Sequence, residues 1–493
     1  MRLYAKVLWS VCFVCVTSLS LRAEENIAGA VVKIYAVYNS HNYYEPWQMA
    51  GQRRRYGSGC IIAGNRILTS AHLVADCTFL QVKRAREAKK YMAEVEVVAH
   101  DCDLAILQVK DDSFFSDIKP LALGDLAEIR DRINVYGFPV GGDEMSITEG
   151  VVSRIEHINY THSNAYLLAC QIDASINPGN SGGPVLKNGK IIGVAFQAFQ
   201  AGQGENIGYM VAVPVIRQFI DDIKDAYCDG IPDLGFRWQR MENPDLRLKY
   251  GMAEKQTGVL VNEIYLGSPG EGIIKPGDII LSVNGHNIEN DGTVDFRKGE
   301  RTSFRYYVQK KQINDTLPLE ILREDEVIRI QTKLSMNINT WRLIPHKQYN
   351  KAPTYYIIGG LVFESLTQNF LMEWGRSWKS RAPRNLVNYY YNGKRSEGRK
   401  EIVILVKVLA DEINAGYHEL VNKVISYANN RRISTIRDLT HAIENHEGRY
   451  HTLVDERGMR IVVEKKKVDE NNQKILDKYK IISDRSEDLQ HKF

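Results

Sequence analysis

At 493 residues the chain is too long for a single hydrophobic core, and roughly 100–200 residues per domain lead to an expectation of three domains. Its 44% hydrophobic and 25% charged residues are ordinary for soluble globular domains. A net charge of +4 names no partner by itself, because nucleic-acid binding follows clustered charge. The two basic clusters, Arg53 to Arg55 and Lys83 to Lys90, read as solvated loops or strand edges, so no nucleic-acid partner is expected.

The amino terminus carries the parts of a secretory signal. Arg2 and Lys6 precede an apolar stretch from Val7 to Leu21, and Ala23 is a small residue just before Glu24. A permanent membrane helix needs roughly 20 strongly apolar residues, and this stretch is shorter and interrupted by Ser10, Thr17, Ser18 and Ser20. Residues 1–23 are therefore read as a cleaved signal peptide. The mature chain is expected in the periplasm or outside the cell, with no stable membrane span. Cys12 and Cys15 leave with that segment, so their spacing has little redox meaning. Five cysteines remain (Cys60, Cys77, Cys102, Cys170 and Cys228), an odd number that leaves at least one free thiol.

Residues 24–228 read as short strands separated by turns, the pattern of an antiparallel barrel or sandwich. Ala63-Gly64-Asn65 and Lys187-Asn188-Gly189 are hairpin signals between apolar runs. Pro214 opens a helix with Val215, Ile216, Phe219, Ile220 and Ile223 on one face. Residues 229–340 form a second unit around a Lys275-Pro276-Gly277-Asp278 turn and the strand leading to Asn284-Gly285. A third unit, residues 341–466, repeats that pattern weakly, with strands at Ile402 to Leu409 and Leu420 to Ser426 and a helix at Leu439 to Ile443. Residues 467–493 are charged, lack periodicity and are expected to be a solvated tail.

The chemistry centres on Asn177-Pro178-Gly179-Asn180-Ser181-Gly182-Gly183-Pro184. A serine hydroxyl becomes a nucleophile only when a base takes its proton and donors stabilise the resulting oxyanion. The glycines allow a tight turn that aims backbone N–H groups at one point, and Gly179, Asn180 and Ser181 are the candidate donors. His72 follows an apolar strand as candidate base, and Asp103 precedes another as candidate orienting carboxylate. Asp101 competes for that role; Asp103 is preferred because it abuts the apolar run. The chain order His, Asp, Ser matches the chymotrypsin arrangement. No metal or organic cofactor is implied. Two function classes follow: a protease, or a scaffold or holdase in which proteolysis is secondary. The complete set of three favours the protease.

These phrases resemble the high-temperature-requirement (HtrA, or Deg) family of trypsin-fold serine proteases. Glu205-Asn206-Ile207-Gly208-Tyr209 is similar to the family's segment before its closing helix. Asp291-Gly292-Thr293-Val294 and Pro353-Thr354-Tyr355-Tyr356-Ile357-Ile358 resemble the branch known from plant Deg proteases. The resemblance implies a mainly β chain: a trypsin-like double β-barrel followed by two α+β PDZ-like domains. It further implies ATP-independent cleavage of unfolded or misfolded proteins and homo-oligomers built from trimers. In this fold the specificity pocket has Ser175, six positions before the nucleophile, at its base, with Ile176 and Val194, Ala195 and Phe196 as walls. Such a pocket takes small or medium aliphatic residues unless Asp173 reaches it. Leu234-Gly235-Phe236 resembles the loop that receives a peptide's terminal carboxylate in the first PDZ unit. The second PDZ candidate has no full signature of that kind.

Overall fold

The computed structural model describes residues 27–198, 207–338 and 340–490. The signal segment 1–23, Glu205 and Asn206, and the last three residues lie outside the described residues. The chain divides into two compact units. The first takes in the chain up to Tyr38 with Arg53–Ile264 and Gly272–Ile338; the second is built from Asn39–Gln52, Tyr265–Glu271 and Asn339–Phe493.

In the first unit, β1 (Val31–Tyr38), β2 (Arg53–Ile62), β3 (Arg66–Thr69), β4 (Cys77–Arg84), β5 (Tyr91–Ala99) and β6 (Leu104–Val109) close a barrel in the order β1-β2-β3-β6-β5-β4. A second barrel, β10-β11-β12-β9-β8-β7, is formed by β7 (Arg132–Gly137), β8 (Ser146–Asn159), β9 (Tyr166–Ile172), β10 (Pro184–Lys187), β11 (Lys190–Ala198) and β12 (Gly208–Ala212). Closure removes the exposed strand edges that an open sheet would present. Val32, Ile34 and Ala36 alternate into the core from β1, while on β6 the whole run from Leu104 to Leu107 is buried on both faces. Helix α1 (Ala71–Val74) is a single turn after β3, and α2 (Val213–Asp222) begins one residue before the expected Pro214.

The rest of the first unit is a sheet ordered β13-β14-β15-β19-β20, made of β13 (Phe236–Arg240), β14 (Val259–Ile264), β15 (Ile279–Val283), β19 (Thr316–Arg323) and β20 (Glu326–Lys333). Short strands β16 (His286–Asn287), β17 (Thr293–Arg297) and β18 (Glu300–Ser303) and helix α3 (Arg305–Gln309) complete it. This module is tied to the second barrel by hydrogen bonds: His157 Nδ1 to Thr302 Oγ1 at 2.9 Å, and Gln309 Nε2 donating to Tyr166 O at 2.9 Å.

The second unit holds a sheet ordered β21-β22-β23-β24-β26-β27: β21 (Tyr355–Ile358), β22 (Leu361–Ser365), β23 (Val403–Val408), β24 (Lys423–Ala428), β26 (Tyr450–Asp455) and β27 (Arg460–Glu464). The short β25 (Arg431–Arg432) pairs with β24, and α4 (Ile436–Glu444) follows it. The expected tail is corrected here. Lys465–Lys478 is a helix, α5, whose Val468, Ile475 and Leu476 are buried in the unit's core, and residue 484 returns to bond Ile357 N–H at 2.6 Å. Three apolar residues on one helix face suffice to dock an otherwise charged segment. All five described cysteines are free, and Cys60, Cys102 and Cys170 are buried with their thiols pushed up by burial. Among the described residues no helix is long and apolar enough to cross a membrane.

Candidate active site

His72 sits in the α1 turn, two residues past the fully buried Ser70. Asp103 closes the loop between β5 and β6 in a left-handed conformation (φ 56°), which aspartate tolerates better than most side chains. That conformation turns its carboxylate back onto His72. Oδ1 accepts the His72 backbone N–H at 2.8 Å, Oδ2 faces the ring Nδ1 at 2.8 Å, and the Asp103 carbonyl accepts Ala71 N–H at 3.1 Å. An ionised carboxylate only accepts, so Nδ1 carries the hydrogen and Nε2 is left as the basic atom. The Asp103 side chain is 1% exposed. Burial, the largest influence, pushes its pKa up. The charges of His72 and His162 and the two bonds from His72 outweigh it, so the carboxyl is held below its usual range. Asp101 points elsewhere: a Cβ on Gly230 would lie 2.7 Å from its Oδ2.

The nucleophile turn is held from both sides. Gly182 packs so closely on the first barrel that a Cβ would meet Ser58 O and Thr69 Oγ1 at 2.3 Å and Leu73 Cδ1 at 2.9 Å. Ser181 is thereby set beside the segment that carries His72. Ser58 N–H donates to Ser181 O at 2.9 Å, while Ser58 Oγ donates to Gly179 O at 2.7 Å and accepts Phe138 N–H at 2.8 Å. Val140 N–H donates to Pro178 O at 2.8 Å. In a trans peptide the N–H points opposite the preceding carbonyl, so anchoring Pro178 O directs Gly179 N–H away from the protein body. Gly183 N–H holds Asn180 O at 3.0 Å and orients Ser181 N–H in the same manner. The amides of Gly179 and Ser181 donate to no other group among the described residues. Gly179 has φ 102°, and a Cβ there would lie 2.3 Å from Phe138 O, so no other residue fits. Asn180 departs from expectation. Its N–H closes the turn onto Asn177 O at 2.9 Å and is withdrawn from the donor set.

Ser175 and Ile176 are half-buried after β9, and Val194, Ala195 and Phe196 are buried in β11. Ile176 lies over Gly208, where a Cβ would come within 2.8 Å of its Cδ1. Phe196 packs on Tyr160 with ring centroids 4.5 Å apart. Asp173 is exposed and its Oδ1 accepts Val151 N–H at 2.6 Å, which ties that carboxylate to the β8 backbone. Leu234 and Phe236 line one end of a groove between β13 and α3, with Trp238, Arg305 and Val308 along it, and Gly235 lies between them in the chain. Gly235 has φ 67°, and its N–H donates to Asp233 Oδ1 at 2.6 Å. Among the described residues no group of three or more His, Cys, Asp or Glu is placed to hold a metal. Sequence reasoning missed Ser58, Val140 and His162. Only Ser58 had a visible signal, being flanked by Gly57 and Gly59, where a Cβ would collide with Leu73 and with Ile67 and Leu68.

Comparison with known proteins agrees with this architecture. Residues 57–194 match a trypsin-like peptidase domain, and residues 232–334 and 344–488 each match a PDZ domain. The chain is 37% identical to the mitochondrial protease Do-like 4 of Arabidopsis thaliana, covering 87% of this chain and 79% of the relative. It is 37% identical to the chloroplastic protease Do-like 2 of the same plant, covering 94% and 76%. Among solved structures, the HtrA-type protease AlgW with a tripeptide superposes with a TM-score of 0.50 at 23% identity, over 63% of this chain and 95% of that one. The chain therefore belongs to the HtrA/Deg family of Do-like serine endopeptidases, a trypsin-like peptidase followed by two PDZ domains.

Proposed function

We propose that the protein cleaves unfolded or misfolded proteins outside its compartment of synthesis, with His72, Asp103 and Ser181 as the catalytic set and Gly179 and Ser181 N–H as the oxyanion hole. The observation that carries the reading is the two-point grip of Asp103 on His72 together with the two uncommitted amides at the nucleophile turn. His72 Nε2 takes the Ser181 hydroxyl proton as the oxygen attacks the scissile carbonyl. Asp103 stabilises the imidazolium, and the two amides receive the negative charge of the tetrahedral intermediate. Collapse of the intermediate expels the amine, which takes the proton from His72. Water then hydrolyses the acyl-enzyme by the same steps in reverse order. No step consumes a nucleotide, so the reaction is independent of ATP.

The half-buried Ser175 and Ile176 and the apolar β11 segment suit alanine, valine, isoleucine or leucine before the cleaved bond, and the engagement of Asp173 with Val151 removes the carboxylate a basic side chain would need. Peptides add as a strand to β13 with their terminal carboxylate at residues 234–236, a reading in keeping with the tripeptide held by the HtrA-type protease AlgW. Assembly into trimers is the family's arrangement and belongs to this proposal. The relatives named for mitochondria and chloroplasts set an organelle against the export inferred from residues 1–23. Amino-terminal sequencing decides between a mature chain starting near Glu24 and a different cut.

The main test is digestion of unfolded casein by the wild type and Ser181→Ala, with mass-spectrometric mapping of the cut sites. Cleavage lost in Ser181→Ala and falling after aliphatic residues is expected. Substantial cleavage by purified Ser181→Ala would sink the assignment, whereas cuts after lysine or arginine would displace only the pocket.

A further inference from the structure

The loop of residues 138–145, which joins β7 to β8, is exposed along most of its length. Gly141 and Gly142 lie in it side by side, and Gly141 has φ 105°. Phe138 and Met145 pack at its two ends, but nothing between them fixes the loop's path by packing. Val140 within it nevertheless supplies the N–H that anchors Pro178 O. Three groups hold it to the first barrel, the weakest being the Tyr35 hydroxyl, which donates to Asp143 Oδ1 at 3.4 Å. Ser58 Oγ fixes its start at Phe138, and Lys33 fixes its tip. Lys33 stands on β1, where Val32, Ile34 and Ala36 form the barrel core and Lys33 projects to the other side. Its side chain is only 8% exposed, and its ammonium donates to Gly142 O at 2.7 Å and to Asp143 Oδ1 at 2.7 Å. The Tyr35 and Tyr56 rings flank it, with centroids 5.3 and 6.0 Å from Nζ.

We propose that Lys33 is a positioning residue for the oxyanion hole, clamping the 138–145 loop so that Val140 N–H stays on Pro178 O and Gly179 N–H stays aimed at the developing charge. This inference rests on the reading of Ser181 as nucleophile. An exposed lysine–aspartate pair contributes little, but this ammonium is nearly enclosed and satisfies a backbone carbonyl as well as a carboxylate. Asp143 responds accordingly, its carboxyl held below the usual range first by the hydrogen bond and then by the charge of Lys33. Without the clamp the paired glycines let the loop swing. The Pro178–Gly179 peptide then loses its external anchor, and rotation of that peptide turns a carbonyl where the donor should be. The hole matters only when charge develops, so the loss falls on the transition state and not on substrate binding.

The test compares wild type, Lys33→Met, Lys33→Arg, Asp143→Asn and Ser181→Ala on a fluorogenic peptide taken from a mapped casein cut, with phosphonylation by a fluorophosphonate probe and Tm as companion readouts. Lys33→Met is expected to lose about tenfold to hundredfold in kcat, less than the roughly 10²–10³-fold of a deleted oxyanion donor because the donor is loosened and not removed, with KM within about twofold. Phosphonylation should slow by the same factor. Asp143→Asn moves in the same direction by less, because the Gly142 carbonyl still holds the ammonium, and Lys33→Arg keeps most of the activity. If Lys33→Met lowers Tm, Asp143→Asn decides, since its side chain is 70% exposed and unfolding is not at issue. Wild-type kcat in both Lys33→Met and Asp143→Asn, or a loss confined to KM, overturns the clamp. Cleavage that survives Ser181→Ala strikes the underlying reading instead.

Discussion

The two PDZ modules share one strand plan and differ at one edge. In the first unit β13 ends its sheet, and the groove between it and α3 is open. In the second unit the corresponding strand is β22, which stands before β23 as β13 stands before β14. There β21 lies along its outer side, in register from Tyr355 opposite Glu364 to Ile358 opposite Leu361. The outer side of β21 is covered in turn by residues 484–485, through Ile357 N–H to Asp484 O and the bridge from Tyr356 to Arg485. A strand edge is a binding site only while its N–H and C=O groups are unpaired. One module leaves its edge strand at the end of the sheet, and the other has paired that edge with its own chain.

The strongest way to sharpen the contrast is to remove the chemistry of the open unit alone. His72→Ala should abolish casein hydrolysis, and Asp103→Asn should lower kcat by about 10⁴-fold because the wrong tautomer faces the nucleophile. Thermal unfolding of the second unit should be unchanged in both, as followed by calorimetry. Retained hydrolysis in Asp103→Asn would show that another group orients His72.

The reciprocal substitution is in the turn that makes β21 possible. Gly359 and Gly360 have φ 56° and 82°, the paired left-handed values of a tight hairpin. A Cβ on Gly360 would lie 2.4 Å from Leu409 O and 2.5 Å from Asn414 Nδ2, which itself bonds Gly359 O and Leu409 O at 2.8 Å. Gly360→Ala should cost the second unit about 3 kcal/mol from backbone strain and broken hydrogen bonds, read as a lowered transition in calorimetry. Cleavage of a short fluorogenic peptide should stay within about twofold of wild type. A stable variant would mean that β21 is not held as described.

What could be read from the sequence follows how local each signal is. The serine turn, the strand before His72 and the strand after Asp103 each carry their chemistry within a few residues, and the structure brings Asp103, not Asp101, to His72. The donors that set the turn were not legible. Val140 acts through a backbone N–H, which any residue but proline has, and Asn180 is disqualified by a bond to Asn177 that only the folded turn reveals. Helix α5 was missed for a different reason. Val468, Ile475 and Leu476 keep helical spacing, but lysines and acids around them lower the apolar contrast below what a periodicity argument detects. The Gly359-Gly360 turn was not singled out in the sequence, and nothing local says that its hairpin would occupy a sheet edge.

A peptide titration probes the open edge directly. Apolar-ended peptides should bind the full-length Ser181→Ala protein, and amidating their carboxyl end should weaken binding about tenfold, the value of charge-assisted bonds to backbone N–H. Asp233 already accepts Gly235 N–H, so Asp233→Ala should strengthen binding of the free-acid peptide. Equal affinity for acid and amide forms would reject residues 234–236 as a carboxylate loop.

The smallest expected effect tests how completely the second unit is closed. Glu364 lies on β22 facing the core shared by Tyr355 and Ile404, is 1% exposed, and neither carboxylate oxygen has a hydrogen-bond partner among the described residues. Burial, and then repulsion from Glu373, pushes its pKa well above the usual carboxylate range. Lys407 pulls the other way, but it also pairs with Glu45 at 3.3 Å and lies over the Tyr44 ring at 4.0 Å. Glu373 is itself pushed up by burial while accepting Tyr43 N–H at 3.0 Å. The folded unit thus keeps a proton on Glu364 that the unfolded chain releases above pH of about 4.3. With the folded pKa raised, the fold binds more protons than the unfolded chain, and stability falls as pH rises from there toward neutrality. Glu364→Gln removes the titration. It should match wild type near pH 4 and exceed it by about 1 kcal/mol at pH 8, seen as a flatter dependence of the second unit's calorimetric transition. Parallel curves for the two proteins from pH 4 to 8 would mean that Glu364 ionises in the fold, with water or a moved side chain reaching it, and that the second unit is open where β22 is described as sealed.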